Sequence, residues 1–508
     1  MQYGLEGPDR GGSVGGHHGA GWRGRQDGAE APSHPSGPAS TNCGAQIVDD
    51  TQPCRRLSMP DDVEARLAAA LREWVAIPSV SALGTAGGHM AASAEYLVRR
   101  ALDCGMTRAE VWSSAGLPSV FAERIEDPSL PTVLVYTHHD VQPADPLSEW
   151  DGDPFTAVDR DGWICGRGAS DDKSQILIHL EAVRRALRSH GRLPVNVRLI
   201  ADGEEEVGSP TFGKIVVDHR KDLAADILVV SDTSMPSADV PGLTVACRGL
   251  VYWELSVRTA ASDLHSGAFG GAIQSASVVM SHILARLRDL DGNITVPGFY
   301  EDVVELDESE RRHIASREGD DGRLISSLGA APAGEAGFNT AERRMLRPTL
   351  DVCGVWSGYT GLGPKTVIPA TAHAKLSSRV VPNQRPERLT EALRAHISTI
   401  APRGSAFELT QTQAASWLRV DYNVEPFQIA RALLEELWGH QAELLFQGGS
   451  IPPVATLRDL LQVPVVIVGF GLPENRNHAP NERVSLAQLG RGVETIERLW
   501  TAYGQLSA

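Results

Sequence analysis

Apolar residues are patterned in two styles along this chain. From about residue 61, DDVEARLAAALREWVAIPSV sets Val63, Leu67, Leu71 and Val75 four apart behind two acidic first-turn residues, which predicts an amphipathic helix. Compact β-branched runs follow, TVLVY (132–136), VRLIA (197–201) and DILVVS (226–231), and each reads as a buried strand. SQILIHLEAVRRAL (174–187) repeats Ile176, Leu180, Val183 and Leu187 as one helix face. Strands separated by helices predict an α/β unit with a mostly parallel mixed sheet flanked by helices. VPVVIVGF (463–470) returns to the strand style, so the C-terminal segment is expected to complete that sheet.

Between these stretches the period changes. In VYWELSVRT (251–259), Val251, Trp253, Leu255 and Val257 alternate with Tyr252, Glu254, Ser256 and Arg258, as in a strand with one wet face. After it come a helix over about 275–290, a Gly/Ala-rich acidic loop region over about 318–338 and the strand-like AHAKLSSRVV. A helix carrying Leu389, Leu393 and Ile397 and a last strand, FELTQTQ, close the excursion. The order β-α-β then β-α-β predicts an inserted α+β (ferredoxin-like) domain over 248–416, set into an α/β domain made of 59–247 and 417–508. Residues 1–58 carry twelve glycines within the first fifty positions and almost no apolar periodicity, which predicts a disordered tail.

Composition narrows the classes. With 508 residues, 42% apolar and 22% charged, the chain can bury an ordinary core, and wholesale disorder and fibrous repeats are excluded. Acidic residues exceed basic ones by 64 to 47, a formal charge of -17 that repels phosphate backbones and anionic membrane surfaces, so neither nucleic acid nor membrane is expected as a partner. Cys43, Cys54, Cys104, Cys165, Cys247 and Cys353 lie far apart without a C-x-x-C pair, and read as reduced thiols of a cytoplasmic protein. The N-terminus carries Arg10, Arg23 and Arg25 but no following apolar core, unlike a secretory signal. No apolar stretch approaches the ~20 residues of a membrane helix.

Each buried strand ends in polar residues: THHD (137–140), DGEEE (202–206) and SD (231–232). GASDDK (168–173), just before a helix, and NHAPNE (477–482), after the late strand, add two more clusters. Singly, each suits a turn or a helix cap. Ligand sites in open α/β sheets lie beyond the carboxyl ends of strands, so together they are expected to converge on one crevice. Carboxylates and imidazoles packed there need a positive partner, and no comparable Lys/Arg run is interleaved. A divalent metal supplies it. The donor set suits Zn²⁺ or Mn²⁺, and one shared carboxylate could bridge two ions ~3.5–4 Å apart, as in hydrolytic sites. Hydrolysis also needs one carboxylate of DGEEE left free to accept a proton from the activated water.

YTHHDVQP, GRGASDDK, DGEEEVGS, VSD, DLHSGAFGG, KTVIPA, SSRVVPNQRPE, GGSIP and NHAPNE, in that order, resemble the motifs of the di-zinc exopeptidase family that includes carnosinase, cytosolic dipeptidases, aminoacylase and bacterial glutamate carboxypeptidase. The resemblance spans about 60–500 and leans to the dipeptidase branch. It implies a catalytic domain with an inserted lid that also dimerises, two divalent ions (Zn²⁺, with Mn²⁺ or Co²⁺ as alternatives), and a small peptide substrate. By the same resemblance His138 and Asp232 match the ligands of one ion, His478 and Glu206 those of the other, and Asp171 the bridge. Asp140 matches the carboxylate that orients His138, and Glu205 the general base. Glu204 is expected to be solvated or an accessory.

His265 matches a histidine that reaches into the partner subunit's site to stabilise the transition-state oxygen, although an isolated histidine in such a loop is more often structural. Arg379 matches the clamp on the substrate's terminal carboxylate, with Thr366 and Ser450 as candidates for the same pocket. The resemblance also implies a cis bond between Asp171 and Asp172. Departures are Phe446, where relatives carry arginine, and Thr137 and Ser174, where they carry glycine. The expected activity is hydrolysis of dipeptides or short peptides with a free C-terminal carboxylate. An N-acyl- or N-carbamoyl-amino-acid amidohydrolase on the same scaffold is the alternative, and a non-catalytic binding protein of the same fold the third reading. A dehydrogenase is excluded because no G-x-G-x-x-G follows the first strand.

Overall fold

The computed structural model describes residues 62–506 apart from 115, 306, 307 and 317, so the N-terminal tail expected over 1–58 lies outside the described residues. The amphipathic repeat at the start forms the helix Asp62–Val75, with Val63, Leu67, Leu71 and Val75 all buried. It packs with the helices Lys173–His190 and Leu486–Tyr503 against a nine-stranded mixed sheet. In spatial order the strands are Arg108–Trp112, Ser119–Arg124, Asn196–Asp202, Thr132–His138, Ile227–Val230, Val465–Ile467, Gly242–Cys247 and Leu418–Arg419, and Glu443–Gln447 pairs alongside Gly242–Cys247.

The central strands are the β-branched runs, and they are parallel where Thr132–His138 lies between Asn196–Asp202 and Ile227–Val230. Both faces of this region are covered, which is why Val133, Leu134, Val135, Leu228, Val229 and Val230 are all fully buried. The register pairs His138 with Asp202 and Tyr136 with Val230. That register decides the chemistry, because it brings THHD, DGEEE and SD out of the sheet at one level of its carboxyl edge. Only Val465–Ile467 of VPVVIVGF is paired as strand.

A second sheet is fully antiparallel, in the order Asp351–Ser357, Thr371–Val380, Gly249–Arg258, Ala406–Ala415. Along the chain these strands are interspersed with helices that include Ala276–Leu284 and Pro386–Ile400. Val251, Trp253, Leu255 and Val257 point into a separate core with Leu389, Leu393 and Ile397. The alternate residues Glu254 and Arg258 are exposed. The chain crosses between the two sheets at Arg248 and again at Ser416–Trp417.

Two expectations need correction. The helix placed over about 275–290 is confined to Ala276–Leu284, after which the chain turns. The region over 318–338 is not all loop, since Glu318–Ser327 is helical, and further helices occupy Glu308–Ala315 and Thr340–Met345. The last is fixed by a reciprocal cap: Asn339 Oδ1 accepts from the Glu342 N–H at 2.8 Å while Glu342 Oε2 accepts from the Asn339 N–H at 2.8 Å. Weak propensity in the Gly- and Asp-rich sequence hid these short helices, and tertiary partners such as Arg311–Glu342 (2.8 Å) support them. Cys104, Cys165, Cys247 and Cys353 are free thiols. No helix among the described residues is long and apolar enough to cross a membrane.

Candidate active site

The polar ends of the strands do meet. His138 closes its strand fully buried, and its Nε2 lies 2.9 Å from Asp171 Oδ1 and 3.7 Å from Asp232 Oδ1. His478, half exposed on the far loop, has its Nε2 3.0 Å from Asp171 Oδ2 and 3.3 Å from Glu206 Oε2. Asp171 therefore turns one oxygen to each imidazole. Two groups of potential metal ligands result, His138–Asp171–Asp232 and Asp171–Glu206–His478, each with its ligand atoms within 4.8 Å of one another. The peptide bond between Asp171 and Asp172 is cis, as the resemblance implied.

Surrounding contacts fix the donors. Asp140 is fully buried, and its carboxylate accepts the backbone N–H groups of Glu205 (3.2 Å) and Glu206 (3.0 Å) while standing 3.4 Å from His138 Nδ1. One side chain thus orients an imidazole and positions both adjacent glutamates. Gln142, in the same DVQP segment, donates through Nε2 to Glu206 Oε2 at 2.8 Å. Glu204 is not solvated. It is buried, and accepts from Leu117 N–H (2.8 Å), Thr211 N–H (3.0 Å) and Thr211 Oγ1 (2.7 Å). The short 3-10 turn Glu205–Val207 explains the split: it rotates the first glutamate of the run into the protein and leaves the next two at the crevice.

The electrostatics call for a cation. Burial pushes Glu205 well above the usual carboxylate range, and Asp232 and Glu206 push it further; burial likewise raises Glu206 and lifts Asp232 to about 6. Burial alone would depress His138, but Asp140, Asp171 and Asp232 drive it well above its ordinary value. Hydrogen bonds to Asp171 and Glu206 raise His478 to about 11. Protonated imidazoles are therefore the positive charge available to these acids within the protein. The Lys173 ammonium is turned away, its Nζ donating to the carbonyls of Trp74 (3.0 Å) and Ile77 (2.8 Å), and burial lowers its pKa to about 7. Glu206 Oε1 is buried with no hydrogen-bond partner, an open donor position in a set of carboxylates and imidazoles that fits a pair of divalent ions.

The other candidates form two separate pairs. Arg379 Nη1 lies 3.4 Å from Ser450 Oγ, beside the Gly448–Gly449 segment. Arg248 supports that segment, donating to the carbonyls of Gly448 (3.1 Å), Arg343 (3.2 Å) and Arg347 (3.0 Å); burial, with Arg379 nearby, lowers its pKa to about 9. His265 and Thr366 sit together in the two-stranded ribbon Leu264–His265 with Val367–Ile368, where the Thr366 carbonyl accepts from the Ser266 N–H at 3.1 Å. No hydrogen bond or ion pair joins His265 to the metal-ligand candidates among the described residues. His265 is exposed, and its Nδ1 accepts from the Gly267 N–H at 2.9 Å, leaving Nε2 as the donor nitrogen of the neutral ring. Phe446 is buried in the main core, its ring 6.3 Å from that of His313. The reading from sequence passed over Gln142 and Arg248. Gln142 lay inside a motif already singled out, whereas Arg248 carries no one-dimensional signal.

Residues 134–502 match the model of peptidase family M20/M25/M40. A Cys-Gly metallodipeptidase of Schizosaccharomyces pombe is 29% identical over 453 residues, covering 85% of this chain and 94% of the relative. The Beta-Ala-His dipeptidase of Homo sapiens is 28% identical over 458 residues, covering 86% and 90%. Among solved structures, an M20 family metallo-carboxypeptidase from Sulfolobus solfataricus superposes with a TM-score of 0.77 at 30% identity, covering 88% of this chain and 100% of the other.

Proposed function

The chain belongs to peptidase family M20/M25/M40, and from that membership we propose that it is a metallodipeptidase, hydrolysing dipeptides or short peptides with a free C-terminal carboxylate. The observation that carries the reading is the position of Asp171, one oxygen against each of two imidazoles, with Asp232 and Glu206 completing the two groups.

His138, Asp171 and Asp232 would hold one divalent ion, and Asp171, Glu206 and His478 the other, with Zn²⁺ expected and Mn²⁺ or Co²⁺ as alternatives. When bound, such a pair polarises a carbonyl and lowers the pKa of water. Glu205 is the general base: its backbone is held by Asp140, and its raised pKa suits a group that accepts a proton from the attacking water and delivers it to the leaving amine. Arg379 binds the terminal carboxylate, with Ser450 beside it. His265 serves the site of a second copy, and Thr366 is a candidate for the pocket of the terminal carboxylate. Exposure of His265 on its ribbon, with Phe269 exposed in the short helix that follows, supports a homodimer formed through the 248–416 segment, which acts as lid and dimerisation domain. The free thiols Cys104, Cys165, Cys247 and Cys353 support a cytoplasmic location.

Side-by-side assays on dipeptides of the Ala-Ala type and on N-acetyl and N-carbamoyl amino acids test the reading. Hydrolysis of the dipeptides in clear preference is expected; preference for the acylated amino acids would move the chain to the amidohydrolase alternative.

A further inference from the structure

Glu482 ends the NHAPNE motif, and its side chain is fully buried at the base of the site without facing it. Its Oε1 accepts the backbone N–H groups of Ser170 (2.8 Å) and Asp171 (3.0 Å). Its Oε2 accepts from the Gly168 N–H (3.1 Å) and from Arg167 Nη1 (2.7 Å), and its own carbonyl accepts from the Gly166 N–H (2.8 Å). Nearby, the buried Asn475 donates through Nδ2 to Ser170 Oγ at 2.7 Å. A loop that ends in the shared carboxylate Asp171 is thus strapped to the loop that carries His478 through the backbone N–H groups of Gly166, Gly168, Ser170 and Asp171, while those of Arg167 and Ala169 go to the carbonyls of Pro154 and Gly166. The two loops are more than three hundred residues apart in sequence.

We propose that Glu482 is a positioning residue that sets how tightly the protein holds divalent metal, by locking Asp171 at the distance from His478 that two ions require. The inference rests on the two-ion reading above. Glu482 touches no candidate ligand side chain; it acts on Asp171 through the backbone. Asp171 must serve both groups with different oxygens, so a loop free to shift would spoil both geometries together. The burial of Arg167 explains why a carboxylate is needed: the guanidinium, 1% exposed, would be left as an uncompensated charge without it. An amide in its place has one accepting oxygen. The guanidinium would retain that oxygen, turning the amide NH₂ toward the N–H groups of Ser170 and Asp171, donor against donor.

The test uses the full chain, stripped with a chelator and titrated with Co²⁺ followed by visible absorption, and with Zn²⁺ in competition with a fluorescent chelator. The parent should bind two ions per chain. Glu482→Gln, judged folded by circular dichroism, should bind at least one ion about 10–100-fold more weakly and give an altered Co²⁺ spectrum. A residue that only braces the fold would lower the melting temperature and leave affinity and spectrum at parent values, and that result overturns the proposal. If Glu482→Gln does not fold, Asn475→Ala cuts the other tie between the same loops. Weakened binding in that variant supports the proposal, and parent affinity overturns it. A parent that binds fewer than two ions refutes the two-ion reading itself, an outcome distinct from failure of the strap.

Discussion

Replacing Glu205 by glutamine separates the base from its neighbours. The amide is isosteric, and Asp140 Oδ1 holds the backbone of residue 205 at 3.2 Å, so the side chain should leave the turn where it does now. What disappears is the capacity to accept a proton. Loss of a positioned general base costs about 10²–10⁴-fold in rate, or roughly 3–5 kcal/mol at ~1.4 kcal/mol per decade. Stability should respond differently. The Glu205 carboxyl is raised well above its ordinary range by burial and by Asp232 and Glu206, so the metal-free protein gains nothing from its charge. Glu205→Gln should therefore melt at or above the parent temperature after chelation while losing nearly all turnover. The assay pairs kcat on a saturating dipeptide with thermal melts of the chelated proteins. Turnover within about fivefold of the parent would refute the assignment of the base, and a collapse in melting temperature would show that Glu205 is structural.

Further expectations concern the carboxylate clamp and acid stability. Arg379→Met should lower kcat/KM on free dipeptides by roughly 10–100-fold, the ~1.5–3 kcal/mol of a hydrogen bond to a charged group, but affect a C-terminally amidated analogue little; equal losses on both would remove the clamp. His179 is buried with Nε2 2.8 Å from Ser231 Oγ, and burial pushes its pKa down to about 3. The unfolded chain, with a pKa of ~6.5, takes up that proton first, so the fold loses stability as pH falls below ~6.5. Between pH 7 and 5 this amounts to about 2 kcal/mol, which His179→Gln should not lose; urea melts at both pH values with parallel parent and variant losses would contradict it.

What could be read in one dimension was whatever repeats or terminates. Val133–Val135, Leu199 and Val229 belong to runs that only a two-faced buried sheet accommodates, and the alternation through Trp253 and Leu255 separates the second sheet from the first. His138, Glu206 and Asp232 were legible because each follows such a run, and a parallel register carries their ends to one edge. Turns and long-range partners were not. Glu204, Glu205 and Glu206 are indistinguishable as letters, and only the backbone turn after Glu204 sends it to Leu117 and Thr211. Gln142 and Arg248 act through contacts that depend on three-dimensional register, and Glu482 acts through backbone groups far away in sequence. The helix Glu318–Ser327 lacks a strong apolar stripe and reads as loop in the sequence.

A crystal of the full chain grown with Zn²⁺, with anomalous differences collected above the zinc edge, examines the shared-carboxylate site most directly. Two peaks per chain are predicted, one among His138, Asp171 and Asp232 and the other among Asp171, Glu206 and His478, with an oxygen of Asp171 turned to each. A zinc-saturated crystal with no peak at these residues, or with a single peak that Asp171 does not touch, would contradict it.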